Sequence, residues 1–198
     1  MLILVRHGES TGNASRRLVG RLDLPLTERG EREATALHGV LGDVARVVSS
    51  PLVRARQTAA ALAPGLTVEV DDRWIEMDYG EHDGEVLADV PLDVWRRWRS
   101  DPQFAAAGGE SLDAVVERVA AACEELFVGP DGEARSDDRH VVVVSHVTPI
   151  KAAVVWALGA GPAAVWRLYL ATGSVTRLGW RGEPVVHSFN EVGRAASA

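Results

Sequence analysis

The sequence predicts an α/β fold, a three-layer α/β/α sandwich around a mainly parallel sheet. Three observations carry that expectation. Wholly apolar runs, such as Leu2 to Val5 and the four valines within His140 to Ser145, suit strands buried on both faces. Stretches with helical apolar spacing separate the strand-like runs through most of the chain. The chain has 198 residues, 46% of them hydrophobic and 25% charged, enough for one large domain with a sizeable core. A single domain over residues 1–190 is expected, with 191–198 as a frayed, small-residue tail.

The elements follow in order. Leu2 to Val5 is the first buried strand. Thr27 caps a helix expected to reach Leu41, because Ala34, Leu37 and Leu41 recur at helical spacing. Arg46 to Ser49 is a second short strand, and Leu52 to Leu62 an Ala-rich helix closed by Pro64-Gly65. Thr67 to Val70 alternates as a strand does. Ser111 caps a helix to Phe127, with Leu112, Val115, Val116, Val119 and Leu126 on one side. Gly129 to Asp138 is polar and turn-rich, as a surface loop is. His140 to Ser145 is the strongest strand. Thr148 to Leu158 is a helix with Pro149 in its first turn, and Ser174 to Trp180 and Val185 to Phe189 are two late strands. Trp95 and Trp98, at helical spacing, are expected to pack. Arg96, Arg97 and Arg99 on the same stretch are expected to be solvated.

Composition excludes several classes of function. A net charge of −7 gives no positive footprint for broad nucleic-acid binding. No apolar run approaches the ~18 residues of a membrane span, so no membrane partner is expected. The start, MLILVRHGES, lacks the basic and long apolar regions of a signal peptide. Cys123 is the lone cysteine, so no intrachain disulfide forms, and a cytoplasmic location is expected.

Three strand ends carry groups that suit an anion. The first strand runs into Arg6-His7, the valine strand into Ser145-His146 just ahead of a helix, and the second strand into Ser50-Pro51 with Arg54 in the next helical turn. Ligands of open α/β sheets gather at the carboxyl ends of strands, and helix N-termini add unpaired N–H groups. Two arginines and two histidines can thus surround a phosphoryl group. The histidine spacing matches no metal template, and no Walker loop occurs, so neither metal nor cofactor is expected.

Ordered blocks then become informative: Leu4-Val5-Arg6-His7-Gly8-Glu9-Ser10 with Asn13; Gly20 with Asp23-Leu24-Pro25-Leu26-Thr27 and Gly30; Ser49-Ser50-Pro51-Leu52 with Arg54-Ala55 and Gln57-Thr58-Ala59; Glu76-Met77-Asp78-Tyr79-Gly80 with Gly84; Gly108-Gly109-Glu110-Ser111; and Ser145-His146. Together they resemble the histidine phosphatase superfamily in its phosphoglycerate-mutase-like branch. The resemblance implies that His7 is the nucleophile, becoming phosphohistidine, with its other ring nitrogen held as N–H by a backbone carbonyl. It implies that Arg6, Arg54 and His146 surround the phosphoryl oxygens, and that Glu76 protonates the leaving oxygen and later activates water. Asn13, Gly20 and Val147 complete the implied substrate-binding set.

The chain departs from the family at Gly12, Val19, His82-Asp83 and Val147-Thr148, which bears on phosphoglycerate recognition and leaves the phosphate clamp intact. A phosphomonoesterase acting on a small phosphorylated metabolite is the expected function. Phosphoglycerate mutase-type transfer and a silent phospholigand-binding module are the alternatives. A monomer and a homodimer are both compatible with the sequence.

Overall fold

A computed structural model describes residues 1–128 and 139–192. The surface loop expected at 129–138 and most of the expected tail lie outside the described residues. Six strands form one sheet: β1 (Leu2–Arg6), β2 (Val44–Ser49), β3 (Val68–Val70), β4 (His140–Ser145), β5 (Val175–Trp180) and β6 (Pro184–Glu191). Their spatial order is β3-β2-β4-β1-β5-β6. The first four are parallel to one another, whereas β5 and β6 add an antiparallel edge. The helices are α1 (Thr11–Ala14), α2 (Glu28–Thr35), α3 (Val53–Leu62), α4 (Leu92–Ser100), α5 (Leu112–Phe127) and α6 (Val147–Ala157).

The strand alternation divides the core in two. Leu2, Leu4, Val48, Val143 and Leu178 pack with residues of α5 and α6 on one face. Ile3, Val5, Val47, Val142 and Val144 pack with Ala55, Ala59 and Leu62 of α3, and with Leu37 and Leu41, on the other. Both faces of the central strands are therefore covered, which is the three-layer arrangement that uninterrupted valine runs imply.

Several elements differ from expectation. α2 stops at Thr35, not Leu41, because the following bonds tighten to i→i+3 and Gly39 and Gly42 take positive φ of 76° and 79°. Leu37 and Leu41 are still buried, but from turns. α1 was not anticipated; its four residues are held by a capping box between Ser10 and Asn13. β6 continues through Glu191, past the point where the tail was expected to fray. Trp98 is buried, edge-on to Tyr79, Trp95 and His82 at 5.4, 5.3 and 5.8 Å. Arg96, Arg97 and Arg99 are exposed, as expected, with Arg97 lying 3.8 Å over the Phe104 ring and Arg99 5.9 Å from Trp95.

Candidate active site

Three parallel strands end side by side, and the segments leaving them build the site. β1 continues its pairing one step further, with the His7 N–H donating to the Ser145 carbonyl at 3.0 Å. His7 is 3% exposed, and its Nδ1 lies 2.7 Å from the Gly8 carbonyl oxygen. That carbonyl can only accept, so Nδ1 carries the proton and Nε2 keeps its lone pair. Gly8 in turn donates its N–H to Thr58 Oγ1, which donates to the Arg54 carbonyl. The seat admits nothing larger than glycine: a Cβ on Gly8 would collide with the Gly30 carbonyl, and one on Gly30 with that of Glu9.

Arg54 enters from the first turn of α3 and is buried. Its Nη2 donates to Gly20 O at 2.7 Å, Nη1 to Leu22 O at 2.8 Å, and Nε to His146 Nδ1 at 3.2 Å. His146 is fully buried as the N-cap of α6, and its Nε2 lies 2.7 Å from Ser50 Oγ. Since Nδ1 accepts from Arg54, Nε2 is the protonated nitrogen and donates to the serine. The His7 and His146 rings stand 5.0 Å apart, tilted by 59°. Arg6 donates from Nη1 to the Leu170 carbonyl at 2.7 Å, while its Nε is buried with no partner among the described residues. A buried guanidinium N–H without an acceptor is a donor suited to a ligand oxygen.

The electrostatics follow from that packing. Burial, then the charges of Arg54 and Arg6, holds His7 well below the usual histidine range, against the opposing pull of the Gly8 carbonyl. Burial, Arg54, His7 and Arg6 do the same to His146. Both rings are therefore neutral at pH 7. Burial also lowers the pKa of the two arginines, with Glu76 opposing, but a guanidinium is so strong a base that each stays a cation.

Glu76 reaches the same place from the turn after β3 and is 4% exposed. Its Oε1 accepts from Met77 N–H at 2.7 Å and from Thr148 N–H at 3.3 Å, with Oε2 at 3.4 Å from the latter. Arg118 fixes the backbone beneath it, donating to the Arg73 carbonyl at 2.5 Å while gripping Glu110 with two nitrogens at 2.8 and 3.0 Å. Burial and the Glu76 charge push the neighbouring Tyr79 phenol up; its oxygen lies 3.3 Å from Thr148 Oγ1.

The remaining expected residues fall close by with differing roles. Asn13 uses its Oδ1 to accept from the Ser10 N–H and Oγ, leaving its NH2 to donate. Val147 opens α6, so its N–H has no acceptor within the helix. Gly20 has both backbone groups engaged within the protein, its N–H by Asp83 and its carbonyl by Arg54. It holds the clamp. Among the described residues, no three His, Cys, Asp or Glu side chains are grouped to hold a metal.

A family model described as the histidine phosphatase superfamily (branch 1) matches residues 2–192. The chain belongs to this superfamily. Among curated relatives, the bifunctional protein Rv2228c of Mycobacterium tuberculosis is 40% identical over 183 residues, covering 88% of this chain and 49% of that one. The chain thus spans about half the length of that relative. Phosphoserine phosphatase 1 of Hydrogenobacter thermophilus is 39% identical over 176 residues, covering 83% of this chain and 79% of that one. A mycobacterial glucosyl-3-phosphoglycerate phosphatase solved with VO3 superposes with a TM-score of 0.83 at 32% identity, over 96% of this chain and 98% of that one. The Entamoeba histolytica phosphoserine phosphatase solved with phosphoserine superposes with a TM-score of 0.86 at 26% identity, over 96% of each chain.

The superfamily blocks in the sequence place His7, Arg6, Arg54, Glu76 and His146 at one point, and the fold brings all five together. Sequence reasoning missed the residues that hold them. Asp83 is the chief omission: its carboxylate accepts from three successive amides, Gly20, Arg21 and Leu22, at 2.7, 2.8 and 2.9 Å. Two carbonyls of that same loop grip Arg54. Ser50 and Thr58 were overlooked as partners, although both stand inside motif blocks.

Proposed function

We propose that the protein is a metal-independent phosphomonoesterase that hydrolyses a small phosphorylated metabolite through a phosphohistidine on His7. The observation that carries this reading is the His7 ring. It is neutral, fixed in one tautomer by Gly8, and set beside Arg6, Arg54 and His146. A neutral imidazole is a nucleophile, and a bond from Nδ1–H to a carbonyl raises the basicity of Nε2.

The chemistry proceeds in two steps. The Nε2 lone pair attacks phosphorus, the ester P–O bond breaks, and the Glu76 carboxyl gives its proton to the departing alkoxide. Arg6 and Arg54 stabilise the charge on the phosphoryl oxygens, joined by His146 once its Nε2–H turns from Ser50 Oγ to the ligand, in a site whose burial strengthens each interaction. The Glu76 carboxylate then takes a proton from water as the water attacks the phosphohistidine. The P–N bond breaks, phosphate leaves, and His7 is restored. The intact set of nucleophile, acid and clamp favours an enzyme over a silent binding module, and the phosphatase names of several relatives favour hydrolysis over mutase-type transfer.

Brief incubation with a phosphomonoester, denaturation in alkali and mass analysis tests the proposal. Phosphohistidine is expected on the peptide containing His7. A His7→Ala protein that still turns over normally, with no trapped intermediate in the wild type, overturns it.

A further inference from the structure

Lys151 is the sole lysine of the chain, and the steps above do not use it. Its position is informative. Within residues 147–155 of α6, every side chain is buried except Val147 and Lys151, which are one helical turn apart on the same face. The amide of Thr148, at the start of that helix, donates to the Glu76 carboxylate. Helical side chains lean toward the helix N-terminus, so the lysine stem extends from its own turn toward the Val147 end, where Glu76 and His146 stand.

Two further features distinguish this lysine from a solvated one. It is partly buried, and among the described residues it has no hydrogen bond or ion pair. Its charge is felt by both Glu76 and Arg6, and burial together with Arg6 lowers its pKa. An ammonium on this helix face, unpaired and near two site residues, lacks an anion within the chain.

Glu76 fixes which anion would fit. The residue that protonates the ester oxygen marks the side on which the alcohol departs, and the Lys151 stem runs toward the helical turn whose amide holds that residue. The phosphoryl group itself is already served by Arg6, Arg54 and His146. We propose that Lys151 is a specificity-determining residue that binds an anionic group, a carboxylate or a second phosphoryl group, on the leaving alcohol of the substrate. The inference rests on the phosphomonoesterase reading above and adds the chemical class of the leaving group.

The test compares matched substrates. 3-Phosphoglycerate and glycerol 1-phosphate share a three-carbon skeleton and differ by a carboxylate against a hydroxymethyl group. A hexose bisphosphate and its 6-phosphate differ by a second phosphoryl group. p-Nitrophenyl phosphate reports the clamp and nucleophile alone. Lys151→Met keeps the length and apolar packing of the stem and removes the charge; Lys151→Arg keeps the charge.

The wild type is expected to prefer the anionic member of at least one pair. Which pair responds tells a carboxylate from a phosphoryl group. Lys151→Met is expected to lower kcat/KM on that member by roughly 10- to 100-fold, mostly through KM, as removal of a charge-assisted hydrogen bond does. It should change glycerol 1-phosphate and p-nitrophenyl phosphate by less than about threefold, and Lys151→Arg should restore most of the activity. Equal changes on anionic and neutral substrates, no change on either, or a wild type without preference overturns the lysine inference while p-nitrophenyl phosphate is still hydrolysed. A wild type that hydrolyses none of the five overturns the phosphomonoesterase reading and this inference with it.

Discussion

Replacing Glu76 with glutamine separates a proton donor from a structural carboxylate, because the structure sets the size of each effect. Glutamine keeps an oxygen where Oε1 accepts from Met77 and Thr148, at 2.7 and 3.3 Å. Arg118 donates to the carbonyls of Arg73 and Glu76 whatever the side chain. Glutamine removes only the long hydrogen bond, from Thr148 N–H to Oε2 at 3.4 Å. Its removal costs at most about 1 kcal/mol, or roughly fivefold, and falls equally on all substrates. Removal of a general acid has a larger and selective effect. An alkoxide is strongly basic and needs the proton, so Glu76→Gln should slow phosphorylation of His7 by an alkyl phosphate by roughly 10²–10⁴-fold, about 3 to 5 kcal/mol. A nitrophenolate leaves unaided and should slow by little more than the structural fivefold. The assay is the pre-steady-state burst of alcohol or phenol, since Glu76 also serves dephosphorylation and steady-state rates can hide the difference. Equal slowing of the two bursts would refute the reasoning and make Glu76 a positioning residue.

Three other outcomes are expected. His7 and His146 are held neutral in the folded protein well below the usual histidine value, so the unfolded chain binds protons first as pH falls. Stability should be complete above about pH 6.5 and decline below it, by up to about 1.4 kcal/mol per pH unit for each histidine; urea titrations of the wild type and a His146→Gln variant at pH 7, 6 and 5 would expose a flat profile if the rings were charged. Gly30→Ala should press the Glu9 carbonyl and displace the loop that carries His7, destabilising by about 1–3 kcal/mol and lowering kcat; an unchanged melting temperature and rate would contradict the tight seat. Asp83→Ala removes the acceptor of three amides, of which Gly20 is buried, and should destabilise by about 1–3 kcal/mol while lowering kcat/KM at least about tenfold, because Arg54 loses its frame; a stability decrease with full activity would uncouple the loop from the clamp.

The chemistry was legible in the sequence where it is contiguous. Arg6 and His7 follow an apolar strand, and Ser145-His146 follow four valines, so the strand ends and the groups they deliver are visible together. Glu76 is different, since nothing in its local pattern distinguishes it from a solvated loop carboxylate; only the resemblance to a family marked it. Asp83 was illegible as a partner, because it accepts from backbone amides about sixty residues away and such a bond leaves no periodic trace. Leu37 and Leu41 misled the reading of α2, since apolar spacing reports burial and not the hydrogen bonds that achieve it. The antiparallel edge was hidden for a related reason: alternation in Ser174 to Trp180 predicts a strand but not its direction.

The ladder between β1 and β4 joins Leu2 to Val141 and ends with Arg6 opposite Ser145. Its apolar part is nearly degenerate. Sliding Val141 to Val144 by two residues would return every valine to its original face, so side-chain alternation alone does not distinguish the correct pairing from that slip. The slip would nevertheless move His146 by about 6.6 Å along the strand, more than the 5.0 Å between the two histidine rings. What opposes it is polar and sits at one end: His7 N–H on the Ser145 carbonyl, Ser50 N–H on the Val144 carbonyl, and the Ser145 hydroxyl on the Trp74 carbonyl. A misregistered chain would keep its valines on their faces, but would carry Arg139-His140 or Ser145-His146 into two of the four valine positions and leave that hydroxyl without its acceptor. The end of the sheet that carries the candidate site therefore also serves as its alignment key, and regain of activity during refolding should coincide with the last step of strand registration and not with collapse of the core.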